Sequence, residues 1–236
     1  MPSAVLCARV DIAQGRLFAG LPAAARAAIL AGAAPRLLTA RQMLAQQGAP
    51  ATTFYVVQVG HLKLSQFSPD GREIIARFAG PGDPYGGIVA LGQPTYPVSA
   101  MAVESTRVLA WPAAEVQRLT AAYPQWRANI VQEIARHMTD ALDRVQELST
   151  ERVSQRLART LLRLGAHGIP RSGSAVEIAH PITRQDLADL TSTTLFTVSR
   201  LLSRWEELGL IESTRGQVTI LDSAGLRQKT DAPEDE

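Results

Sequence analysis

Residues 181–221 constrain the fold more than any other part of the chain, because they carry the signals that begin and end two short helices and a hairpin. The run Thr183-Arg-Gln-Asp186 has the form of a capping box, in which a hydroxyl and an acid satisfy the backbone of a helix's first turn. A polar turn at residues 191–194 separates this helix from a second one, whose apolar residues keep helical spacing. The second helix stops near Gly209, and a strand at residues 217–221 follows. This order predicts a helix-turn-helix with a two-stranded wing.

A helix-turn-helix of this kind can place its second helix in the major groove of DNA, where the N-terminal side chains meet base edges. Arg200 can donate two hydrogen bonds to a guanine edge, and hydroxyls of the second helix can contact phosphates or bases. Arg184 and Gln185 suit phosphate contacts, because they stand at the positive end of the first helix's dipole. The candidate DNA-contacting residues are Thr183, Arg184, Gln185, Thr193, Thr194, Phe196, Thr197, Ser199, Arg200, Arg204 and Arg215. The alternative interpretation is a module that binds another protein.

Residues 37–111 have the pattern of short strands broken by glycine-rich turns. Residues 54–59 are β-branched and aromatic, and Pro69-Asp-Gly71 is a tight-turn signal, since proline presets one φ and glycine accepts a positive one. The spacing predicts a β-roll or barrel, preceded by a short alanine-rich helix at residues 22–32. The predicted fold class is therefore α+β, with a jelly-roll-like β-roll in front of a winged helix-turn-helix.

A long helical pattern lies between these two parts. Its apolar residues step by 3, 4, 3, 4 and 3, as in the a/d seam of a coiled coil. The residues of this seam are Val131, Ile134, Met138, Ala141, Val145 and Leu148. We expect a parallel homodimer through this helix; the alternative is a helix that lies on its own domain's core. The predicted domains are a sensor at 1–112, a dimerisation helix at 113–150, a DNA-binding domain at 151–228 and a disordered acidic tail at 229–236.

Composition narrows the class of protein. The 236 residues suffice for two domains, and 46% of them are apolar. Net charge is only +2, but residues 152–171 hold five arginines and no acidic residue. The chain shows no secretion signal and no apolar run of membrane-spanning length, so we expect a cytoplasmic protein without membrane contact. It also shows no nucleophile elbow, phosphate loop or zinc-protease motif, which argues against an enzyme.

Several motifs resemble those of the CRP/FNR superfamily of bacterial regulators, and the likeness covers nearly the whole chain. The matching residues are Gly60 and its neighbours, residues 68–73, Gly80-Pro-Gly-Asp83 with Tyr85-Gly86, and residues 183–190, 197–200 and 209–211. The resemblance implies a cyclic-nucleotide-binding-like β-roll, a long dimer helix and a C-terminal winged helix. It also implies a homodimer that binds double-stranded, pseudo-palindromic DNA and contacts RNA polymerase.

The departures from the family pattern concern the effector. Members that bind cyclic AMP carry a Gly-Glu pair that holds the ribose and an Arg-Ser pair that clamps the phosphate. Here the first pair is Gly86-Gly87, and the second is Tyr96-Pro97, or Pro97-Val98 with a one-residue shift. A buried phosphate without a cation loses its main charge-assisted contact, so the sequence argues against cyclic AMP in the usual pose. Cys7, the only cysteine, cannot hold the iron–sulfur cluster of the oxygen-sensing members.

The resemblance places an effector at the junction of β-roll and dimer helix, where it would shift that helix and with it the DNA-contacting helices. The expected pocket residues are Tyr85, Gly86, Gly87, Tyr96, Pro97, Val98 and Ser99. One alternative is a haem-dependent sensor of nitric oxide or another gas, although no metal-binding spacing links His61, His137, His167 and His180. Another is a constitutive DNA binder without an effector.

Phe196 departs from the family pattern in the second helix of the helix-turn-helix, where relatives commonly have a glutamate that accepts from cytosine N4. The sequence leaves two interpretations of this aromatic residue. It either packs on thymine methyl groups in the major groove or faces the core of its own domain. The operator of the relatives should therefore not be transferred to this chain.

Overall fold

The computed structural model describes residues 11–214 and 216–231, and Cys7 and Arg215 lie outside the described residues. The described part divides into two compact units. The first holds the described residues up to Arg72 with Ala76–Asp140, and the second holds Glu73–Ile75 with the described residues from Ala141 on. Every helix among the described residues is too short or too polar to cross a lipid bilayer.

The N-terminal part is built from short antiparallel strands, with one α-helix before them and two after. These elements are α1 (Ala23–Ala31), β1 (Ala34–Leu38), β2 (Met43–Ala45), β3 (Thr53–Val59), β4 (Leu62–Phe67), β5 (Glu73–Ala79), β6 (Pro84–Tyr85), β7 (Ser99–Ala102), β8 (Thr106–Pro112), α2 (Ala113–Ala122) and α3 (Pro124–Thr150). One sheet has the strand order β1-β8-β3-β6, and the other has the order β2-β7-β4-β5. The predicted β-roll is confirmed.

Strand β3 explains how the roll is filled, because consecutive side chains of a strand point to opposite faces. Phe54 and Val56 join a core cluster with Trp111 and Trp126, which lies on the helical side of the sheet. Tyr55 and the residue two positions after it in β3 point to the other face and join a second cluster between the two sheets. Since both faces are buried at residues 54–57, this part of the strand is apolar on both sides, which is why its sequence shows no polar alternation.

The helical segment after the roll differs from the sequence-based expectation of one helix at residues 113–150. The structure has two helices, α2 and α3, which Tyr123 separates. Pro124 opens α3, because proline lacks the N–H that continues a helix but suits a helix's first position. The first turns of α3 bury Trp126, Ile130 and Glu133 against the rest of the first unit.

The second unit is the predicted winged helix-turn-helix. Its elements are α4 (Val153–Gly165), β9 (Ile169–Pro170), β10 (Val176–Glu177), α5 (Arg184–Thr191), α6 (Leu195–Glu207), β11 (Ile211–Thr214), β12 (Gln217–Ile220) and α7 (Ser223–Asp231). The wing hairpin belongs to a larger sheet with the order β11-β12-β10-β9, because Val176 and Glu177 pair with β12. Helix α7 extends into the segment that the sequence analysis assigned to an acidic tail, and residues 232–236 lie outside the described part.

Candidate nucleic-acid interface

The first helix of the helix-turn-helix begins at the predicted capping box. The Asp186 N–H donates to Thr183 Oγ1 over 3.0 Å, and the Thr183 N–H donates to Asp186 Oδ2 over 2.9 Å. Leu187 is fully buried and Leu190 nearly so, as the sequence predicts. This reciprocal pair fixes the first turn of α5 and leaves Arg184 and Gln185 exposed beside it.

The turn between α5 and α6 is held by two caps. Ser192 ends α5 in the left-handed conformation at φ +51°, and its N–H donates to the Ala188 carbonyl. Thr194 then caps α6, because its Oγ1 accepts from the Thr197 N–H over 3.1 Å and lies 2.9 Å from Thr197 Oγ1. The Thr194 hydroxyl, which the sequence analysis assigned to DNA contact, therefore also caps α6. A cap of this kind stabilises a helix by about 1 kcal/mol.

Helix α6 has one buried face and one polar, exposed face. Val198, Leu202 and Trp205 fill the core of the domain. On the other side Arg200 and Arg204 are exposed, and Thr197 and Ser199 are half-buried. Phe196 is 78% exposed, so the structure excludes the interpretation that it faces the core. Sequence reasoning missed Leu195 and Ser203 on the exposed side, although helical spacing from Phe196 and Arg200 could have identified Ser203.

The side chains beside α6 make contacts of their own. Gln185 Nε2 donates to Asp189 Oδ1 over 2.8 Å, within the same helix. Arg184 Nη2 lies 3.5 Å from Ser213 Oγ on the wing strand β11, so the start of α5 and the wing are neighbours. Thr193 is half-buried in the turn. The structure thus brings all predicted DNA-contacting residues other than Arg215 into α5 with its N-cap Thr183, α6 and the turn between the two helices.

Three of the five arginines in the run at residues 152–171 are paired with acidic residues outside the run. Arg163 Nη1 lies 2.7 Å from Glu147 Oε1, and Arg159 Nη2 lies 2.8 Å from Glu151 Oε1. Arg171 donates from Nε to Glu177 Oε2 over 2.6 Å. Since these pairs cancel much of the positive charge, the run is weaker evidence for a phosphate-binding patch than its sequence indicated.

The predicted dimer seam on α3 is mostly exposed. Met138 is 64% exposed, Val145 60% exposed, and Val131, Ala141 and Leu148 are also exposed. Ile134 differs, because it is half-buried and packs against the core cluster of the first unit. Leu142, which is 58% exposed, widens the stripe, and its spacing of four residues from Met138 could have revealed it.

The residues of the predicted effector pocket lie together in the roll, where tyrosine rings fill the interior. The ring centroids of Tyr85 and Tyr96 are 5.2 Å apart at an interplanar angle of 20°. Tyr85 Oη donates to the Val98 carbonyl over 2.8 Å, and Tyr96 Oη donates to the Thr53 carbonyl over 2.7 Å. Burial raises the pKa of both phenols, so both remain neutral donors.

The remaining pocket residues border this stack. A Cβ on Gly87 would lie 3.4 Å from side-chain carbons of Ile130 and Ile134, so the segment packs directly on α3. Ser99 is buried, and its hydroxyl accepts from the Gln47 N–H over 3.0 Å, whereas Pro97 is exposed. The segment that the sequence analysis assigned to the pocket therefore lies next to the long helix.

Comparison with known proteins agrees with both parts of the chain. A cyclic nucleotide-binding domain model matches residues 35–123, and a Crp-like helix-turn-helix domain model matches residues 155–229. The transcriptional activator protein anr of Pseudomonas aeruginosa is 30% identical over 191 residues, which cover 81% of this chain and 78% of the relative. The chain belongs to the CRP/FNR family of transcription regulators.

Two further proteins extend the likeness. The CRP-like cAMP-activated global transcriptional regulator of Mycobacterium tuberculosis is 23% identical over 218 residues, 92% of this chain and 97% of the relative. The structure of FixK2 from Bradyrhizobium japonicum covers 86% of this chain and 99% of its own at 24% identity, with a TM-score of 0.75. That structure supports the fold. Membership of the family makes this chain a DNA-binding regulator and not an enzyme.

The histidines of this CRP/FNR family member are spread over separate surroundings. His61 Nδ1 lies 2.7 Å from Glu104 Oε1, and His180 Nδ1 lies 3.0 Å from the Pro181 carbonyl. His137 is half-buried on α3, and His167 is exposed. Among the residues that the structure describes, no three His, Cys, Asp or Glu side chains are grouped so that they could hold a metal ion.

Proposed function

We propose that the protein is a homodimeric regulator that reads a pseudo-palindromic operator with the exposed face of α6. The observation that carries this proposal is the division of α6 into a buried apolar face and an outer face with Phe196, Thr197 and Arg200 in its first two turns. Those turns are where a second helix of this motif meets base edges. The core does not need these side chains, so their residue types are available for contact with DNA.

The outer face supplies complementary chemistry. Arg200 carries a planar fork of donors that matches guanine O6 and N7, and Thr197 and Ser199 carry hydroxyls suited to bases or phosphates. Arg184 and Gln185 stand at the N-terminus of α5, where backbone N–H groups and the helix dipole favour a phosphate. Base contacts would give the specificity, and phosphate contacts would set the register on the duplex.

The exposed stripe on α3 supports the homodimer. Met138, Leu142, Val145 and Leu148 recur at spacings of three and four residues, which a parallel partner helix covers in a coiled coil. Such a dimer presents two copies of α6, and half-sites about 34 Å apart place them one DNA turn from each other. Contact with RNA polymerase, which the family resemblance implies, belongs to the same proposal.

The packed roll interior favours a regulator that binds its operator without a small-molecule effector. Tyr85 and Tyr96 are each only 4% exposed and occupy the region where an effector was expected. An effector at that position would have to displace the stack and break the hydrogen bonds to Val98 and Thr53. We therefore propose that the protein binds its operator constitutively. Binding controlled by an effector in a pocket at residues 85–87 and 96–99 is the second candidate.

The test begins with selection of bound sequences from random duplex DNA, followed by titration of the selected operator. Arg200→Ala should weaken specific binding by about 1–3 kcal/mol, because one bidentate guanine contact is lost. Arg36→Ala is the matched control, since it removes the same charge from an exposed position on β1. Equal losses in both variants, or no selected sequence, would refute base reading by α6. Protein refolded from denaturant, and so freed of ligand, should bind the operator as tightly as before.

A further inference from the structure

Phe196 is exposed in a way that the packing of its domain does not require. At 78% it is the most exposed large apolar side chain of the described residues. Val198, Leu202 and Trp205 already fill the core side of α6. Single exposed apolar side chains are common on protein surfaces, so the exposure does not require a partner, but it leaves the ring available to one.

The position of Phe196 in the helix-turn-helix indicates which partner the ring contacts. It is the second residue of α6, in a first turn that the Thr194 cap holds in a defined conformation. Arg200 lies one helical turn further along the same face. Four residues of helix rise by about 6 Å, which is about two base-pair steps of 3.4 Å, so the two side chains can meet base pairs about two steps apart.

We propose that Phe196 is a specificity-determining residue that reads the C5 methyl group of a thymine in each half-site. Base edges in the major groove offer donors, acceptors and one apolar group, which is the thymine methyl. A phenyl ring has no donor or acceptor, so over cytosine N4 or guanine O6 it would remove water and return no hydrogen bond. Over thymine it buries apolar surface on both sides. The inference rests on the proposed function, because it concerns the same helix face.

Deoxyuridine tests the contact, because it differs from thymidine only by the missing methyl. In the selected operator, each thymine is replaced by deoxyuridine in both half-sites, one position at a time. At the position read by Phe196, affinity should fall about fourfold per half-site and about fifteenfold for the two together, since a buried methyl-sized group contributes roughly 0.8 kcal/mol. At the other thymines it should change less than about twofold.

Variants connect the effect to the ring. Phe196→Ala should bind the thymine and uracil operators equally, whereas Phe196→Leu should keep a preference for thymine. Ser203→Ala is the control, since it changes another exposed residue of α6 and should keep the full ratio. Phe196→Glu should shift the preference at that base pair to cytosine, whose N4 donates to a carboxylate. Because Phe196 is exposed, the variants should melt at the temperature of the unaltered protein.

The outcomes separate this inference from the proposed function. Failure to select any specific DNA sequence refutes the proposed function. Two results overturn only the inference that Phe196 reads a thymine methyl and leave the proposed function standing. One is a specific operator without thymine in its half-sites, and the other is an operator whose thymines can all be replaced by uracil without loss of affinity. The same conclusion follows if Phe196→Ala keeps the thymine preference. Unaltered DNA binding with lost activation would assign the ring to a protein contact and would also overturn the inference.

Discussion

The imidazole of His137 should make the stability of this protein fall in mild acid. Burial is the largest cause that lowers its pKa, and the positive charges of Arg77, Arg136 and Arg16 lower it further, against an opposing effect of Asp83. The pKa of His137 falls from 6.5 to about 4. The unfolded chain therefore takes up a proton between about pH 6.5 and pH 4 that the folded protein does not, so stability decreases as the pH falls through this window.

The size of the effect follows from the two pKa values. With 6.5 in the unfolded chain and about 4 in the folded one, proton linkage predicts a loss of about 2 kcal/mol between pH 7 and pH 5. The ring is half-buried, and solvent screening of the charges around it reduces the expected loss to about 1 kcal/mol. His137→Gln removes the titrating group and should remove this part of the pH dependence.

Urea unfolding measures this pH dependence of stability. The buried Trp111 and Trp126 report on the core of the first unit as it unfolds. The free energy of unfolding is measured at pH 7 and pH 5, at one protein concentration, for the unaltered protein, His137→Gln and His167→Gln. His167→Gln serves as the control, since it makes the same substitution at an exposed position. The reasoning is refuted if the unaltered protein and His137→Gln lose the same stability between the two pH values.

Two further predictions concern the roll and the dimer helix. Gly86→Ala should lower the melting temperature of the protein by more than Gly92→Ala. Both glycines have positive φ, so an alanine is strained at either position. Only at Gly86 would the added Cβ also lie 2.8 Å from a backbone oxygen, whereas Gly92 faces open space. Equal losses would contradict that crowding. Val145→Glu should weaken dimerisation by about 3 kcal/mol or more in sedimentation equilibrium, because it buries a carboxylate in the seam. Gln146→Glu is the control, because it changes an exposed residue of the same helix and should not weaken dimerisation. If Val145→Glu still dimerises, the interface lies elsewhere.

The sequence was most informative where the signal is local. The Thr183–Asp186 capping box spans four residues and folds as predicted, because its hydrogen bonds form within one turn. The alternation of short strands and glycine turns likewise predicted the roll. The seam on α3 was visible because residues three and four apart share a helix face. These features depend on neighbours within a few positions, which the sequence displays directly.

Long-range packing decided the rest. Three of the five arginines at residues 152–171 pair with Glu147, Glu151 and Glu177, which lie outside the run. Only the folded roll brings Tyr85 and Tyr96 face to face, from positions eleven residues apart in the chain. The sequence by itself determined the family, the order of the domains and the motif that contacts DNA. The tertiary structure decided which charges are neutralised, that the roll is filled, and that Phe196 faces outward, because each of these depends on which distant side chains already occupy the core.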